Sequence, residues 1–522
     1  MSSTKTQVTS LFRMHGLTLR SDGAKYLSSL LEPIDVADHE KIIEKVISAV
    51  QKLPLASAVI SQAEIVIAAK DVAESESEEP EQLLQVIAAD GIPALEYSVE
   101  RSKFVLVPDR PHLLHGNALH KAQLFRNRYN TVYCRTRQHK LFRPPAAGTS
   151  AASSKHYGLT KVEFLVGGGG KSEEEVIVLG LLTHLVEGQM HLEDDTGAVP
   201  LNLANAKFHT GLFPEHCLVL VEGRFVDGVF NAEAVGLPPA ELPNTTRALL
   251  GNVNYFGGAG TTCAKYSQKL VAAQRKKEAM FVILSDVWLD KIAVVTKLQE
   301  LLQGYSNFHP TAFILCGNFL SESHTADQVL QLRQALTNLG ETIAQFPELV
   351  ARSRFILVPG PTDPGPCSVY PRPALPKFLT EGLRQKVPNV ELMTNPCRIL
   401  YCTQEMVVFR EDVMTKICRN CVYFPTDAED IPSHFCQTLI SQSHLAPLPP
   451  NVLPTYWDQD HCLNLHPTPD FIVIADRADP FTSTNNGAII TNPGSFLKTD
   501  FSFKVYFPNR HEVEDSQITD TS

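Results

Sequence analysis

The sequence predicts a multidomain α+β protein, and three patterns along its 522 residues lead to this fold class. Apolar residues recur at helical spacing as far as about residue 72, which predicts a small helical domain. Short runs typical of β-strands follow between about residues 158 and 240. Farther on, strand-like runs alternate with helical patterns, as in a layered α/β domain. We therefore predict a helical domain, an acidic linker with a connecting helical segment, a small β-barrel and an α/β domain, at residues 1–73, 74–157, 158–245 and 246–522.

Composition and charge disfavour several classes of protein. The formal net charge of −11 at pH 7 argues against a protein that coats nucleic acid through bulk electrostatics. The 11 cysteines are odd in number and scattered, which indicates reduced thiols in the cytosol or nucleus. The N-terminus lacks an apolar signal-peptide core, and no apolar run reaches the roughly 18 residues that span a bilayer. We expect a soluble intracellular protein with no membrane partner.

The N-terminal domain is predicted as four short helices punctuated by Pro33 and Pro54. Asp38 is placed to cap the helix that has the clearest apolar stripe. That stripe consists of Ile42, Ile43, Val46, Ile47 and Val50. Nothing in the domain has catalytic spacing, so we favour a structural or docking role.

The next segment begins with an acidic run and ends with a basic, aromatic one. Glutamates interleaved with serines predict a solvated linker, namely Glu74, Glu76, Glu78, Glu79 and Glu81. A helix is predicted from about Glu81 to Ala89, and a loop from Pro144 to Ser154. The cations and rings of residues 121–143 fit either a nucleic-acid contact or an amphipathic helix that packs its rings on a neighbouring domain. The acidic net charge favours packing.

The predicted strands between residues 158 and 240 follow the order of an OB-fold, a small Greek-key barrel. Three strands, a short helix between Ala204 and His209 and two more strands succeed one another. OB-folds often bind single strands by stacking bases on aromatic rings in a basic groove. Here the hairpin carries Glu193, Asp194 and Asp195 and lacks aromatics, which repels phosphate. A protein-contact role is therefore favoured over nucleic-acid binding.

Four apolar runs of the C-terminal domain lead directly into polar residues. They are Phe281–Asp290, Phe313–Asn318, Phe355–Gly360 and Phe471–Asp476. Each run fits a buried strand whose end carries functional groups. Because strand ends of an α/β sheet gather at one edge, these groups are expected to lie together. This layout is typical of a two-metal phosphoesterase.

The strand ends resemble the motifs of calcineurin-type metallophosphoesterases, which run D-x-H, G-D-x-x-D, G-N-H-[DE], a lone His and G-H-x-H. That family holds two metals that activate a water for attack on phosphorus. In this sequence the first motif keeps Asp286 but has Trp288 in place of histidine, and an indole has no lone pair for a metal. Asn318, a neutral amide, stands where the bridging carboxylate is expected.

The later motifs depart further from the pattern of the family. Pro361 replaces a ligand asparagine, and Thr362 replaces the general-acid histidine ahead of Asp363. The lone histidine corresponds to His444. The last motif is Ala475-Asp476-Arg477-Ala478, with both histidines gone and a cation at the metal site.

Three of these residues, Asp286, Asp476 and His444, could still form a remnant polar cluster. Scattered ligands without the bridging carboxylate make a weak site for two divalent ions. We predict no catalytic residue, no cofactor and no bound metal. An active metal-dependent phosphodiesterase or exonuclease is one alternative, and a single-strand nucleic-acid-binding OB module is another.

A degenerate phosphoesterase domain behind an OB-fold is a narrow combination, and it resembles the B-subunits of replicative DNA polymerases. The resemblance extends to TNPCRI, QEMVVFRED, SQSHLAPLP and TNPGSF, at residues 394–399, 404–412, 441–449 and 491–496. Within that family, the N-terminal domain and the stretches FVILSDVWLD, LCGNF, PRPALP and MTKICRNCVYFP are similar to the polymerase epsilon branch.

This resemblance implies a non-catalytic nuclear subunit that bridges partners during DNA replication. The implied partners are the zinc-bearing C-terminal region of the catalytic subunit of DNA polymerase epsilon and the small histone-fold subunits of that complex. The N-terminal domain, which is similar to an AAA+ lid, would dock on the GINS part of the replicative helicase. Contact with DNA is expected to be indirect or weak.

One further motif, Cys418-Arg-Asn-Cys421, has the spacing of half a zinc site. A structural zinc site needs a second pair of ligands at suitable spacing, and no such pair is evident. We favour buried free thiols.

Overall fold

The computed structural model describes most of the chain, namely residues 2–31, 39–52, 59–76, 83–98, 103–107, 113–143, 156–167, 174–241, 243–260, 262–322, 326–365, 368–425 and 430–519. Several predicted features lie outside these residues: Pro33, Asp38, Pro54, the end of the acidic run from Glu78 onward, and the Pro144–Ser154 loop. The chain divides into two compact units, Met1–Gln82 with Gly251–Val253 and Leu83–Leu250 with Asn254–Ser522. The finer domain boundaries stay predictions.

The first unit is helical in the residues described. Its elements are α1 (Ser2–Met14), β1 (Thr18–Leu19), α2 (Ser21–Leu31), α3 (His39–Lys52), β2 (Val59–Ile60) and α4 (Gln62–Glu76), and the two short strands pair in parallel. The apolar stripe predicted on α3 lies in the core, where Ile43, Val46 and Ile47 are buried together with Phe12. The acidic run begins inside α4, so the prediction of a linker at Glu74 and Glu76 is wrong.

The second unit begins with a strand where the sequence predicts a helix. The strand β3 (Leu84–Ile87) pairs antiparallel with β17 (Cys397–Tyr401). The helix predicted from Glu81 to Ala89 is wrong because pairing with a distant strand overrides the local pattern. A hairpin of β4 (Leu95–Ser98) and β5 (Lys103–Leu106) follows.

The helix α5 (Ala118–Gln138) spans most of the basic, aromatic stretch. It begins with a capping box, in which the side chain of Asn117 accepts from the backbone N–H of His120 at 3.1 Å. The imidazole of His120 in turn accepts from the backbone N–H of Asn117 at 3.2 Å. The helical alternative for this stretch is therefore confirmed.

Residues 176–236 form a closed five-stranded barrel. After α6 (Val162–Val166), its strands are β6 (Val176–Val186), β7 (Gln189–Glu193), β8 (Ala198–Asn202), β11 (Leu218–Val226) and β12 (Val229–Gly236), and two short strands, β9 (Lys207–Phe208) and β10 (Phe213–Pro214), lie between β8 and β11 in the chain. Strands β11-β6-β7-β8-β12 are neighbours in this order, and pairing between β11 and β12 closes the ring, as in an OB-fold. The short helix predicted between Ala204 and His209 is wrong. Its place is taken by β9, which pairs with β12 while Phe208 stacks on Tyr423 at 4.1 Å.

The rest of the second unit is built on two six-stranded sheets in its described residues. One has the order β16-β15-β14-β13-β23-β24, with strands at Val390–Leu392, Arg354–Val358, Ala312–Cys316, Phe281–Leu284, Ser502–Phe507 and Glu512–Gln517. The other has the order β21-β22-β20-β18-β17-β3, where the strands not yet bounded are Phe481–Asn485, Ala488–Asn492, Phe471–Ala475 and Gln404–Arg410. A short strand, β19 (Cys421–Tyr423), pairs with β10.

Helices join and cover these strands. They are α7 (Pro243–Leu250), α8 (Gln268–Lys276), α9 (Ile292–Gly304), α10 (Ala326–Ala344), α11 (Pro347–Arg352), α12 (Lys377–Lys386), α13 (Val413–Arg419) and α14 (Ile431–Gln442). Within the described residues, no helix is long and apolar enough to cross a membrane.

Alternation along β13 shows how the layers are arranged. Phe281 and Ile283 belong to a core cluster shared with Val408 and Val473 of the other sheet. Val282 and Leu284 belong to a different cluster, which includes the side chains of α9 and α10. Because successive residues of a strand point to opposite faces, β13 is apolar on both sides and must be buried between layers. The predicted layered α/β architecture is therefore observed.

Candidate functional site

The ends of β13 and β14 bring Asp286 and Asn318 together. The backbone N–H of Asn318 donates to Oδ1 of Asp286 at 3.2 Å. The side-chain oxygen of Asn318 accepts from the backbone N–H of Thr362, in the turn after β15, at 2.9 Å. The predicted meeting of three polar strand ends is therefore observed. In this arrangement the side-chain oxygen of Asn318 is occupied by the N–H of Thr362.

Asp363 uses both carboxylate oxygens to hold the backbone. Its Oδ1 accepts from the N–H of Phe319 at 2.8 Å, and its Oδ2 accepts from the N–H of Gly360 at 2.7 Å. A Cβ at Gly317 would collide with this carboxylate, so glycine is required there. Burial raises the pKa of Asp363 to about 6, although the two backbone donors oppose the shift.

Pro361 and Asp363 are also tied down through their carbonyl oxygens. The Arg372 guanidinium donates to the carbonyl of Pro361 at 2.8 Å and to that of Asp363 at 2.6 Å. The turn in which the phosphoesterase pattern has a ligand and a general acid is thus fixed from both sides. These contacts hold the backbone of the turn in place.

Asp476, at the end of β20, also holds the backbone. Its Oδ2 accepts from the N–H of Met414 in the first turn of α13, and its Oδ1 accepts from the N–H of Ala478, both at 2.9 Å. Burial raises the pKa of Asp476 to about 6. The methyl side chain of Ala478 offers no donor atom, so this motif contributes no ligand beyond a carboxylate already in use.

Arg410, at the end of β18, lies at the centre of the site and is fully buried. Its Nε donates to the carbonyl of Gly317 at 2.6 Å, and its Nη2 donates to Oδ1 of Asp286 at 2.8 Å. Its Nη1 donates to Oδ1 of Asp412 at 2.9 Å and to the carbonyl of Ala475 at 3.0 Å. Burial alone would lower the pKa of Arg410, but the two carboxylates raise it above its ordinary value.

A second arginine reaches the same carboxylates from the solvent side. Nε of Arg477 lies 3.6 Å from Oδ2 of Asp286 and 3.8 Å from Oδ2 of Asp412, and the side chain is 38% exposed. Two carboxylates therefore face two guanidinium groups. Arg477 places a cation at the site, as predicted, but Arg410 makes the shorter contacts with the two carboxylates.

His444 does not join Asp286 and Asp476, so the remnant cluster proposed for these three residues is wrong. Its Nε2 lies 3.4 Å from Oδ1 of Asp460, and its Nδ1 accepts from the N–H of Ala446 at 3.0 Å. Asp460 in turn holds Arg128 of α5 through two hydrogen bonds, at 2.9 and 2.6 Å. Burial, aided by the charge of Arg128, lowers the pKa of His444, which favours the neutral imidazole.

Trp288 acts as a packing residue at the end of β13. Its ring is buried in the core cluster that contains α9, and Nζ of Lys498 lies 5.7 Å from the ring centroid. The indole adds no metal ligand to the site. The predicted packing role of Trp288 agrees with this placement.

The donor set does not fit a pair of metal ions. In the part of the chain that the structure describes, no group of three or more His, Cys, Asp or Glu side chains is placed to hold one. The guanidinium of Arg410 lies between the carboxylates of Asp286 and Asp412. A divalent ion there would meet a buried positive charge.

Sequence reasoning missed Arg410, Asp412 and Arg372. A signal for the first two is visible in QEMVVFRED, where an apolar strand ends in an arginine followed by two acids. The partners Asp286 and Gly317 are remote in sequence, which is why the spacing does not reveal the contact.

The basic helix α5 packs through its cations and rings. Arg128 is paired with Asp460, and Arg135 is buried, donating to the carbonyls of Ile440 and Ser441 and to the hydroxyl of Ser443. Tyr129 and Tyr133 stack at 5.6 Å. The guanidinium groups and rings that could contact nucleic acid are thus engaged within the chain, which agrees with the packing interpretation.

The thiols of the C-x-x-C motif are partly buried, and burial, together with the neighbouring Cys418, raises the pKa of Cys421 to about 12. Metal ligation requires the thiolate. The raised pKa of Cys421 therefore disfavours the thiolate and, with it, metal ligation.

Three family profiles match successive parts of the chain. DNA polymerases epsilon N terminal matches residues 2–72, and the profile of the B-subunits of DNA polymerases alpha and epsilon matches residues 281–483. DNA polymerase epsilon subunit 2-like, OB-fold domain, matches residues 118–239. The last match confirms the OB-fold predicted from the strand order.

Similar proteins cover nearly the whole chain. The DNA polymerase epsilon subunit 2 of Bos taurus is 45% identical over 519 residues, which cover 98% of each chain. The chain belongs to the DNA polymerase epsilon subunit 2 family. The family member of Drosophila melanogaster is 37% identical over 518 residues, again 98% of each chain. The corresponding B-subunit of DNA polymerase epsilon from Saccharomyces cerevisiae is 25% identical, and the match covers 79% of this chain and 72% of the yeast protein.

Membership of the DNA polymerase epsilon subunit 2 family makes this chain an accessory subunit in DNA replication, which confirms the resemblance seen in the sequence. It also implies a complex with the catalytic subunit of the polymerase. A structure described as a novel archaeal phosphodiesterase covers 46% of the chain, at 11% identity and a TM-score of 0.25. That likeness is too weak to carry a conclusion about fold or activity.

Proposed function

We propose that the chain is the scaffold subunit of DNA polymerase epsilon and acts in the nucleus. Its barrel and two-sheet domain hold the zinc-bearing C-terminal region of the catalytic subunit. Its N-terminal helical unit links the polymerase to the GINS part of the replicative helicase, and small histone-fold subunits are further partners. The observation that carries the proposal is the 45% identity to a polymerase epsilon subunit 2 along 98% of the chain.

The inactivity of the phosphoesterase-like site is part of this proposal. The carboxylate oxygens of Asp363 and Asp476 accept hydrogen bonds from backbone N–H groups, and Asp286 is paired with Arg410. A metal-dependent phosphoesterase needs the carboxylate after its first strand, here Asp286, free to bind a metal that generates the nucleophile. The geometry supports an accessory role and disfavours the alternative of an active phosphodiesterase or exonuclease.

The helix α5 and the barrel bear on the alternative of a single-strand-binding module. Arg128 and Arg135, two of the cations that suggested nucleic acid, are engaged within the chain. On the barrel, the side chain of Asp194 accepts from the N–H of Val162 at 3.0 Å and thereby fastens α6 to the hairpin. Because these groups are already used within the chain, the observations disfavour the single-strand-binding alternative.

Co-purification tests the scaffold role. The full chain, co-expressed with the catalytic subunit, is expected to elute with it at about 1:1 stoichiometry by size exclusion. A chain that elutes alone while both proteins are folded would contradict the proposal. The same preparation is expected to release no p-nitrophenol from bis-p-nitrophenyl phosphate with Mn²⁺. Hydrolysis that is lost on Asp286→Ala would favour the phosphodiesterase instead.

A further inference from the structure

We propose that Arg410 is the resident cation of the strand-end site, and that its removal opens a site for one hard divalent cation such as Mn²⁺. This inference goes beyond the scaffold role, because it concerns how the chain replaces a metal in holding its own two sheets together. It stands whether or not the partner proposals hold.

The first observation is the set of atoms around the guanidinium. Four oxygens accept hydrogen bonds from Arg410: two carboxylate oxygens and two backbone carbonyls. They belong to Asp286, Asp412, Gly317 and Ala475, at distances of 2.6 to 3.0 Å. Carboxylate and carbonyl oxygens are the ligands that Mg²⁺, Ca²⁺ and Mn²⁺ prefer. The cage around Arg410 therefore has the chemistry of a hard-cation site.

The second observation is an acceptor that the guanidinium leaves unused. Oδ2 of Asp286 is buried and has no hydrogen-bond partner among the described residues, and Arg477 approaches it only to 3.6 Å. A carboxylate with a free oxygen can ligate a cation without giving up a contact. Oδ2 of Asp286 is therefore the first ligand that we expect an ion to use.

The third observation is the distribution of strand ends around the site. Asp286 and Gly317 follow β13 and β14 of one sheet, whereas Arg410 and Ala475 end β18 and β20 of the other. One guanidinium thus joins two sheets at their edges. If it is removed, the carboxylates of Asp286 and Asp412 repel one another across a partly buried gap, with the guanidinium of Arg477 on its solvent side. A divalent ion with water ligands would restore both the charge balance and the bridge.

The experiment compares Arg410→Met with the unchanged protein in EDTA and in Mn²⁺, using the full chain and differential scanning fluorimetry. The unchanged protein is expected to have the same Tm in both. Arg410→Met is expected to have a lower Tm in EDTA and to regain roughly 3 °C when Mn²⁺ is present at about 100 times its Kd.

Arg398→Met is the matched control. Arg398 is also buried, but its guanidinium donates to the backbone carbonyls of Phe256 and Asn464, both at 3.1 Å. The loss of Arg398 should lower Tm without making it sensitive to Mn²⁺. An equal response of both variants to Mn²⁺ would overturn the proposal.

A second variant covers the case in which Arg410→Met does not fold in either buffer. Arg410→Gln keeps a side-chain amide that can still donate to one oxygen of the cage, so it is expected to fold in both buffers. It leaves the carboxylates of Asp286 and Asp412 without their guanidinium, and electron paramagnetic resonance should detect saturable Mn²⁺ binding at one site per chain. Adding Asp286→Asn should abolish that binding. If no variant takes up Mn²⁺, Arg410 is not a substitute for a metal and the proposal is wrong.

Discussion

At the scale of single residues, burial raises the pKa of Asp363, in the turn after β15. Asp363 is 3% exposed, and burial raises its pKa to about 6 against the opposing effect of two backbone donors. An unfolded aspartic acid has a pKa of about 3.9. The folded state therefore holds an extra proton between these two values. The contribution of Asp363 to stability is fully present below about pH 4 and is lost as the pH rises through about 6.

Replacing Asp363 tests this sign. Relative to the unchanged protein, Asp363→Asn should lose more stability at pH 5 than at pH 7, by about 1 kcal/mol, because the variant lacks the proton linkage. Urea unfolding at both pH values measures the difference. Asp227→Asn, in the exposed turn between β11 and β12, is the control and should show the same change at both pH values. An identical pH response of both variants would contradict the shift.

Sequence reasoning locates single residues where an apolar run points at them. Asp286, Asn318 and Asp476 follow buried strands, and the structure places them at those strand ends. The sequence assigns His444 to the wrong cluster because its partner Asp460 lies in a 3₁₀ helix, Trp457–Leu463, that the sequence pattern does not connect with it. The spacing of charged residues in the sequence does not show that the guanidinium of Arg410 lies between the carboxylates of Asp286 and Asp412.

At the scale of elements, α5 is attached to the two-sheet domain through the ion pair of Arg128 with Asp460 and through the buried Arg135. Burial would raise the pKa of Asp460, but Arg128 and His444 lower it below its ordinary value. Arg128→Met leaves that carboxylate buried without its strongest partner. We expect a loss of about 3 kcal/mol in the free energy of unfolding, because breaking one side of a buried pair leaves an uncompensated charge.

The double variant Arg128→Met/Asp460→Asn separates charge from packing. It should be less destabilised than the sum of its single changes, because the unpaired carboxylate is gone. Arg126→Met, exposed on the same helix, is the control and should be nearly neutral. Strict additivity in urea unfolding would show that the pair does not hold α5.

A helix or strand is predictable from the sequence where its own apolar pattern already indicates the structure that its neighbours in the fold stabilise. β13, β14 and β20 are apolar on both faces, and the structure confirms them as central strands. The two strands that the sequence predicts as helices, β3 and β9, are short segments whose extended form comes from pairing with β17 and β12. Local propensity cannot supply such pairings, since they depend on a strand elsewhere in the chain.

At the scale of the whole molecule, the chain has two compact units with separate cores. The core of the first unit runs from Val8 to Ala68 and contains helical side chains such as Phe12 and Ile47. The second unit carries the barrel and the two sheets. If the first unit serves the helicase and the second the catalytic subunit, as proposed, the two associations should be separable by substitution.

Ile47→Asp is designed to make that separation. Ile47 is 1% exposed on α3, and an aspartate there would bury an unpaired carboxylate in a small core. Because a small domain is stable by only about 5 kcal/mol, the first unit should unfold. Ser48→Asp places the same carboxylate one residue further on, at an exposed position, and should leave the unit folded.

Co-purification from cells that express the full chain measures both associations. Ile47→Asp should lose the GINS proteins and keep the catalytic subunit, whereas Ser48→Asp should keep both. Loss of the catalytic subunit together with GINS would show that the first unit also carries the polymerase contact. Retention of GINS by Ile47→Asp, with the first unit unfolded by circular dichroism, would place the helicase contact on the second unit. Either outcome would assign one of the two contacts to the other unit, because each unit has its own core and the substitution unfolds only the first.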